Sequence, residues 1–193
     1  MWITDPKTGR KFAKKCRRRF DSENTPRELT FSCYRGYPFL ARDRTCQWFV
    51  DAVENARQKW PIDLWAWVIM PEHAHLILMP RQRFREIGTS QGFVKERVAR
   101  QAIRWLEQNA PDWLPRITVR EGLRTRRRFR QPGGGYDRNI ERVDTLERMI
   151  DYIHLNPVRR GLVERAIDWP WSSARWYAGI RPAVLEMDAT LPP

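Results

Sequence analysis

The chain has 193 residues, a length that favours one domain with extensions over two domains. Its 36 lysines and arginines outnumber the 23 aspartates and glutamates, and 30 of the 36 are arginine. Because the planar arginine fork matches phosphate oxygens, this excess favours a nucleic-acid partner over a merely soluble basic protein. The 41% hydrophobic residues and ten tryptophans are enough to form a core, which excludes wholesale disorder.

The sequence contains no run of roughly 18 apolar residues that would span a membrane. Its first residues, MWITDPKTGRKF, lack the apolar stretch of a secretory signal, so we expect a cytoplasmic protein with no membrane partner. Cys16, Cys33 and Cys46 are odd in number and lack CxxC spacing. This pattern predicts free thiols and neither a disulfide framework nor a zinc knuckle.

The first half of the chain predicts an arm followed by alternating strands and a helix. Residues 1–27 are polar and contain the basic run KKCRRRF, which suits an arm along a phosphate backbone or a solvated tail. The stretch ELTFSCY from Glu28 predicts a strand, and residues 42–60 carry apolar side chains at helical spacing. Residues 62–70 and 73–79 are two β-rich runs separated by Pro71 and Glu72, which predicts an antiparallel hairpin.

The second half predicts two helices around a basic segment. Residues 90–109 read as an amphipathic helix, and residues 116–131, with seven arginines and one glutamate, predict a basic strand that runs into a glycine-rich loop. A further helix is predicted over residues 145–156, with Pro157 limiting its end.

The order of these elements, β, α, β, β, α, β, α, predicts the fold class. It fits an α+β fold, a ferredoxin-like antiparallel sheet with helices on one face plus an added C-terminal helix. We expect a basic arm over residues 1–27, one domain over residues 28–178 and a tail over residues 179–193.

Two histidines are the first candidates for chemistry. His73 and His75 lie two residues apart on a predicted strand, where both side chains point to the same face. Paired imidazoles suit a divalent metal and leave coordination positions for a carboxamide and for phosphate oxygens of a substrate. Such pairs also occur as ordinary histidines on half-buried strands, so the pair alone leaves both interpretations open.

The last predicted helix carries the complementary groups. Tyr152 and Asn156 are four residues apart and therefore lie on one helical face. Asn156 is a candidate third metal ligand, and a tyrosine beside a metal-held phosphate is a candidate nucleophile. His154 competes for the ligand role, but it is rotated about 200° from Tyr152 on an ideal helix, which favours Asn156. The alternative for Tyr152 is a side chain that packs in the core.

Four ordered motifs carry a family resemblance. The segments VIMPEHAHLIL, GGGYDRNI, IDYIHLNPVRRGLV and WPWSSARWY together resemble the REP-associated tyrosine transposases, a branch of the single-tyrosine HUH transposases. The resemblance extends from about Leu29 to Tyr177 and so covers most of the chain. It matches His73 and His75 to the HUH histidines and Tyr152 to the catalytic tyrosine, and it places Asn156 where related enzymes have a polar third ligand.

The resemblance implies a metal-dependent enzyme that nicks and rejoins single-stranded hairpin DNA through a 5′-phosphotyrosine intermediate. The implied cofactor is Mg²⁺ or Mn²⁺, and the implied partner is the hairpin DNA of palindromic repeats, bound by a monomer rather than a homodimer in the bacterial nucleoid. Two groups of arginines are predicted to contact DNA, one in the arm and one in the basic segment: Arg17, Arg18, Arg19, Arg124, Arg126, Arg127, Arg128 and Arg130.

Two other functions remain open at this point. A catalytically silent descendant would keep the basic surface and bind DNA without turnover. An RNA-binding protein of the RRM type would also use a ferredoxin-like sheet, with bases stacked on its aromatic side chains. The chain lacks an RNP-like motif, which argues against the second.

Overall fold

The computed structural model describes residues 2–4, 11–13, 25–81, 87–132 and 135–191. Its strands are β1 Trp2–Thr4, β2 Lys11–Ala13, β3 Arg27–Ser32, β4 Ile62–Ile69, β5 His73–Pro80, β6 Thr118–Glu121, β7 Arg124–Arg127 and β8 Tyr136–Asn139. Its helices are α1 Asp43–Lys59, α2 Ile87–Asn109, α3 Leu114–Ile117, α4 Val143–Arg159 and α5 Ala174–Tyr177. Among the described residues, no helix has the length and apolar character needed to cross a membrane.

A four-stranded sheet in the order β4-β5-β3-β8 forms the centre of the molecule. All three neighbouring pairs are antiparallel. Helix α1 connects β3 to β4, and α2 lies between β5 and β8, so the chain makes two β-α-β connections that interleave in one sheet. This is the ferredoxin-like arrangement predicted from the element order, and that prediction is confirmed.

The two faces of the sheet bury separate clusters of apolar side chains. One cluster packs beneath α1 and α2 and includes Leu29, Phe49 and Val98. The other packs beneath α4 and includes Val68 and Ile153. Every residue of β4 is buried because helices cover both faces. This explains why the strand is apolar at every position except Asp63 and does not alternate.

Helix α4 is longer than the sequence predicts. It continues to Arg159, and Pro157 lies inside its last turn. A proline this close to the end interrupts only one intrahelical bond, and the turn is closed by the backbone N–H of Arg160, which donates to the carbonyl of Asn156. The predicted end at residue 156 is therefore three residues short of the observed end at Arg159.

The basic segment is a hairpin rather than the single strand predicted. Strands β6 and β7 pair with each other as an antiparallel ribbon outside the main sheet. Gly122 occupies the turn with a φ of 61°, a left-handed conformation that glycine adopts without steric cost. Strands β1 and β2, which lie in the predicted arm, pair with each other in the same way.

The C-terminal region covers the outer edge of β4. The backbone N–H of Ile69 donates to the carbonyl of Trp171, and the N–H of Ser173 donates to the carbonyl of Trp67. Further along the strand, the Asp188 N–H donates to the Leu64 carbonyl. These bonds satisfy backbone groups that an uncovered edge strand would leave open to pairing with another chain.

Candidate active site

His73 and His75 lie on β5 and point to the face of the sheet covered by α4. The intervening Ala74 is fully buried on the opposite face, beneath α1 and α2. The two imidazole rings are 4.9 Å apart between centroids and stand nearly perpendicular. The strand geometry therefore brings the two rings together, as their spacing predicts.

Each histidine is held by a carboxylate at its Nδ1 atom. His75 Nδ1 lies 3.1 Å from Glu28 Oε1, and His73 Nδ1 lies 3.2 Å from Glu72 Oε1. A carboxylate accepts hydrogen bonds, so these contacts favour a proton on Nδ1 and leave the lone pair of Nε2 available. Burial and the neighbouring His75 lower the pKa of His73, which keeps it neutral and able to bind a cation. Carboxylate partners of this kind orient metal-binding histidines.

Tyr152 faces these histidines from α4. Its ring centroid is 6.0 Å from that of His75, with the two rings perpendicular. The side chain is 43% exposed, so it does not pack in the core. The Arg159 guanidinium lies 5.0 Å from the centre of the tyrosine ring. The site thus combines an accessible phenol, a cation and a histidine pair.

Asn156 and His154 have different environments one turn further along α4. Asn156 is buried, and its Nδ2 atom has no hydrogen-bond partner among the described residues. His154 Nε2 lies 2.8 Å from the Ser173 hydroxyl. That hydroxyl lies 3.2 Å from the carbonyl oxygen of Trp67 and donates its proton there, so it accepts from His154 Nε2–H. The Nε2 atom of His154 is therefore not available as a metal ligand.

The donor set for a cation is small. Within the described ranges, no three His, Cys, Asp or Glu side chains are placed to share a metal ion. A cation here would depend on the Nε2 atoms of the two histidines and on Asn156. The Nδ2 atom of Asn156 has no partner among the described residues, and rotation about the last side-chain bond would put its Oδ1 atom in that position. Two imidazoles and one amide oxygen leave open positions for a substrate.

A cavity of about 490 Å³ opens beside the histidines, and Arg35 and Gln131, which the sequence motifs do not identify as functional, are among the residues that line it. Arg35 adopts a φ of 54°, and its backbone N–H donates to Gln131 Oε1 at 3.2 Å. A left-handed conformation at a non-glycine residue is strained and is common at functional sites. No motif in the sequence around Arg35 indicates that it lies at the cavity.

The predicted DNA-binding arginines are distributed over two places. Residues 124–127 form the exposed strand β7, where Arg127 pairs with Glu107. Arg128 forms an ion pair with Glu121. The backbone of Arg130 forms an antiparallel β-bridge with that of Cys33, just after the end of β3. The basic segment therefore runs from the outer hairpin to the histidine cavity. Arg17, Arg18 and Arg19 lie outside the described residues.

Comparison with known proteins points to one family. No protein-family model matches the chain. A Haemophilus influenzae protein provisionally named REP-associated tyrosine transposase is 26% identical over 161 residues, which cover 78% of this chain and 84% of that protein. An Escherichia coli REP-associated tyrosine transposase is 23% identical over 122 residues, which cover 63% of this chain and 60% of that protein.

A solved structure shares the fold. It is a REP-associated tyrosine transposase bound to a REP hairpin, and it matches with a TM-score of 0.67 at 21% identity, covering 92% of this chain and 94% of that one. The resemblance predicted from the motifs is therefore confirmed: this chain is similar in sequence to named REP-associated tyrosine transposases and shares the fold of one whose structure is solved.

Proposed function

We propose that the chain, acting as a monomer, nicks and rejoins single-stranded hairpin DNA through a covalent bond to Tyr152. The observation that carries this proposal is the position of an exposed phenol 6.0 Å from one ring of the histidine pair. A tyrosine with only a packing role would be buried, whereas this ring is open to a substrate. The names of the two curated relatives support the same reaction class.

Tyr152 acts as the nucleophile. Its phenolic oxygen loses its proton and attacks the phosphorus of a phosphodiester, and the bond from phosphorus to the 3′ oxygen breaks. That oxygen takes up a proton and leaves as a 3′-hydroxyl, so the number of protons is unchanged. The 5′ phosphate stays on the tyrosine. A 3′-hydroxyl then attacks the phosphotyrosine and releases the phenol, so the number of phosphoester bonds is conserved and no external energy source is required.

Two arginines at the end of α4 have different roles in the proposed site. The Arg159 guanidinium already lies against the ring of Tyr152, and a planar guanidinium binds phosphate oxygens in pairs. Arg160 donates to Glu72 at 2.7 Å, and Glu72 holds His73. The end of α4 therefore supplies the nucleophile, a cation for the phosphate and a link that fixes the orientation of His73.

His73, His75 and Asn156 would hold a divalent cation, Mg²⁺ or Mn²⁺. The fit rests on the two carboxylates that fix the imidazoles and on the unpaired buried amide of Asn156. When bound, such a cation polarises the phosphodiester and aligns it for in-line attack. Imidazole ligands favour Mn²⁺ over Mg²⁺ on intrinsic affinity.

Hairpin DNA of palindromic repeats is the proposed substrate. The solved structural relative is bound to a REP hairpin, and the net charge of +13 suits a polyanion. The exposed strand β7 would contact the backbone, and the same role is proposed for the arm arginines 17–19.

The test is cleavage of an end-labelled hairpin oligonucleotide taken from repeats near the gene, in Mg²⁺, Mn²⁺ or EDTA. We expect a covalent adduct on a denaturing gel that requires metal and is absent from Tyr152→Phe. Tyr177→Phe is the matched control, because Tyr177 also lies against a histidine, His154, but donates to a backbone carbonyl. DNA that binds without nicking under every metal would instead support the silent DNA-binding alternative.

A further inference from the structure

A second cleft lies away from the histidines, between the start of α1 and the end of α2. It has a volume of about 470 Å³, within the range of small-molecule sites. Five of the residues that line it are aromatic: Phe39, Trp48, Trp105, Trp113 and Phe129. Trp105 and Trp113 are only partly buried, so part of each side chain is accessible to solvent.

The cleft carries positive charge and no negative charge among its lining residues. Arg42 and Arg44 line it, and no Asp or Glu does. The Arg44 guanidinium lies 3.6 Å from the centre of the Trp105 ring, and that of Arg116 lies 4.5 Å from the centre of the Trp113 ring. Flat cations stacked on indoles, beside other aromatic rings, form the surface on which proteins bind unpaired bases.

The cleft is connected to the candidate active site by a short segment of chain. Phe129 lines the cleft and stacks on Phe39 at 5.0 Å between ring centroids. Two residues later, Gln131 lines the cavity beside His73 and His75. Two residues span at most about 7 Å of backbone. The basic strand β7 ends at Arg127, just before this segment, so the basic segment of the chain leads to both places.

We infer that this aromatic cleft binds an unpaired nucleotide of single-stranded DNA by stacking its base against Trp105 and Trp113. The inference rests on the proposed function for its assignment to DNA. Because stacking uses only the flat face of a base, the cleft would bind without a strong base preference. An acidic peptide is the alternative polymer, because its carboxylates would pair with the arginines. It lacks the flat rings that would stack on the two indoles, which favours DNA.

The first measurement is the affinity of the full chain carrying Tyr152→Phe, which cannot cleave, for a fluorescent deoxythymidine 12-mer. We expect Trp105→Ala to weaken binding by about 10-fold, the scale of one lost stacking contact. Trp176→Ala is the matched control, because Arg181 lies 4.9 Å from the Trp176 ring and Trp176 lines neither the cleft nor the histidine cavity, and it should change affinity by less than about 2-fold. Arg44→Gln, a change at an exposed residue, should also weaken binding even if Trp105→Ala fails to fold.

The second measurement locates the contact without any cleft substitution. A 12-mer with one 5-iododeoxyuridine is photocrosslinked to the chain, and the tryptic peptides are mapped. Trypsin releases residues 105–116 as one peptide that contains both tryptophans, and we expect the crosslink there. Crosslinks confined to other peptides, with unchanged affinity of Trp105→Ala and Arg44→Gln, would overturn the inference, as would competition for the cleft by a glutamate 12-mer but not by DNA.

Hairpin cleavage by the unsubstituted chain, which keeps Tyr152, separates this inference from the proposed function. If the unsubstituted chain forms the tyrosine adduct but the 12-mer crosslinks elsewhere, only the cleft assignment fails. If the chain binds neither hairpin nor 12-mer, both fail.

Discussion

Replacing Glu28 by glutamine removes the charge from the carboxylate that holds His75 while keeping its size. Glu28 Oε1 lies 3.1 Å from His75 Nδ1, and the two side chains are only 9% and 10% exposed. Water therefore has little access to replace the contact. A carboxylate behind a metal-binding histidine is worth roughly 10- to 100-fold in metal affinity or activity, or about 1.4 to 2.7 kcal/mol.

The assay is a Mn²⁺ titration of adduct formation on the hairpin substrate. We expect Glu28→Gln to raise the metal concentration for half-maximal adduct by about 10-fold or more. Glu72→Gln should have the smaller effect, because Glu72 is 22% exposed and so more accessible to water. A folded Glu28→Gln protein with an unchanged Mn²⁺ midpoint would refute the assignment of Glu28 as the residue that orients His75.

Three further predictions concern groups outside the reacting centre. Burial raises the pKa of Cys33 and of Cys46 to about 12, so neither thiol should react with iodoacetamide in the native protein at pH 8, as peptide mass mapping would show. Burial lowers the pKa of His154 to about 4. Between pH 6.5 and pH 4 the unfolded state therefore binds a proton that the folded state does not. The free energy of unfolding should be unaffected by His154 above pH 6.5 and should fall by roughly 3 kcal/mol toward pH 4. Urea unfolding at several pH values, with His154→Gln as the comparison, measures this contribution, and an equal pH dependence in both proteins would contradict it. Ile153→Ala should cost about 2 to 5 kcal/mol in urea unfolding, because this fully buried side chain joins α4 to the sheet.

Much of the fold and part of the site follow from local patterns in the sequence. The alternation of residues on a strand places His73 and His75 on one face, and the four-residue spacing on a helix places Tyr152 above Asn156. Both rules depend only on neighbours in the chain, so they work without knowledge of the tertiary structure. The roles of these residues stay predictions.

Other features depend on contacts that no local pattern predicts. Glu28 meets His75 only because β3 pairs with β5 in one register, which sets Glu28 beside residues almost 50 positions away. The positive φ of Arg35 is set by its surroundings, since arginine has no intrinsic preference for that conformation. The extension of α4 past Pro157 depends on tertiary packing, because Pro157 is itself buried.

Locating the residue to which DNA becomes attached tests directly whether Tyr152 is the nucleophile. The covalent adduct is formed with a hairpin oligonucleotide in Mn²⁺ and digested with nuclease until one nucleotide remains on the protein. Mass spectrometry then shows which of the five tyrosines carries it. We expect the added mass on Tyr152 and no adduct in Tyr152→Phe. Attachment at any other tyrosine, or an adduct that survives Tyr152→Phe, would contradict it.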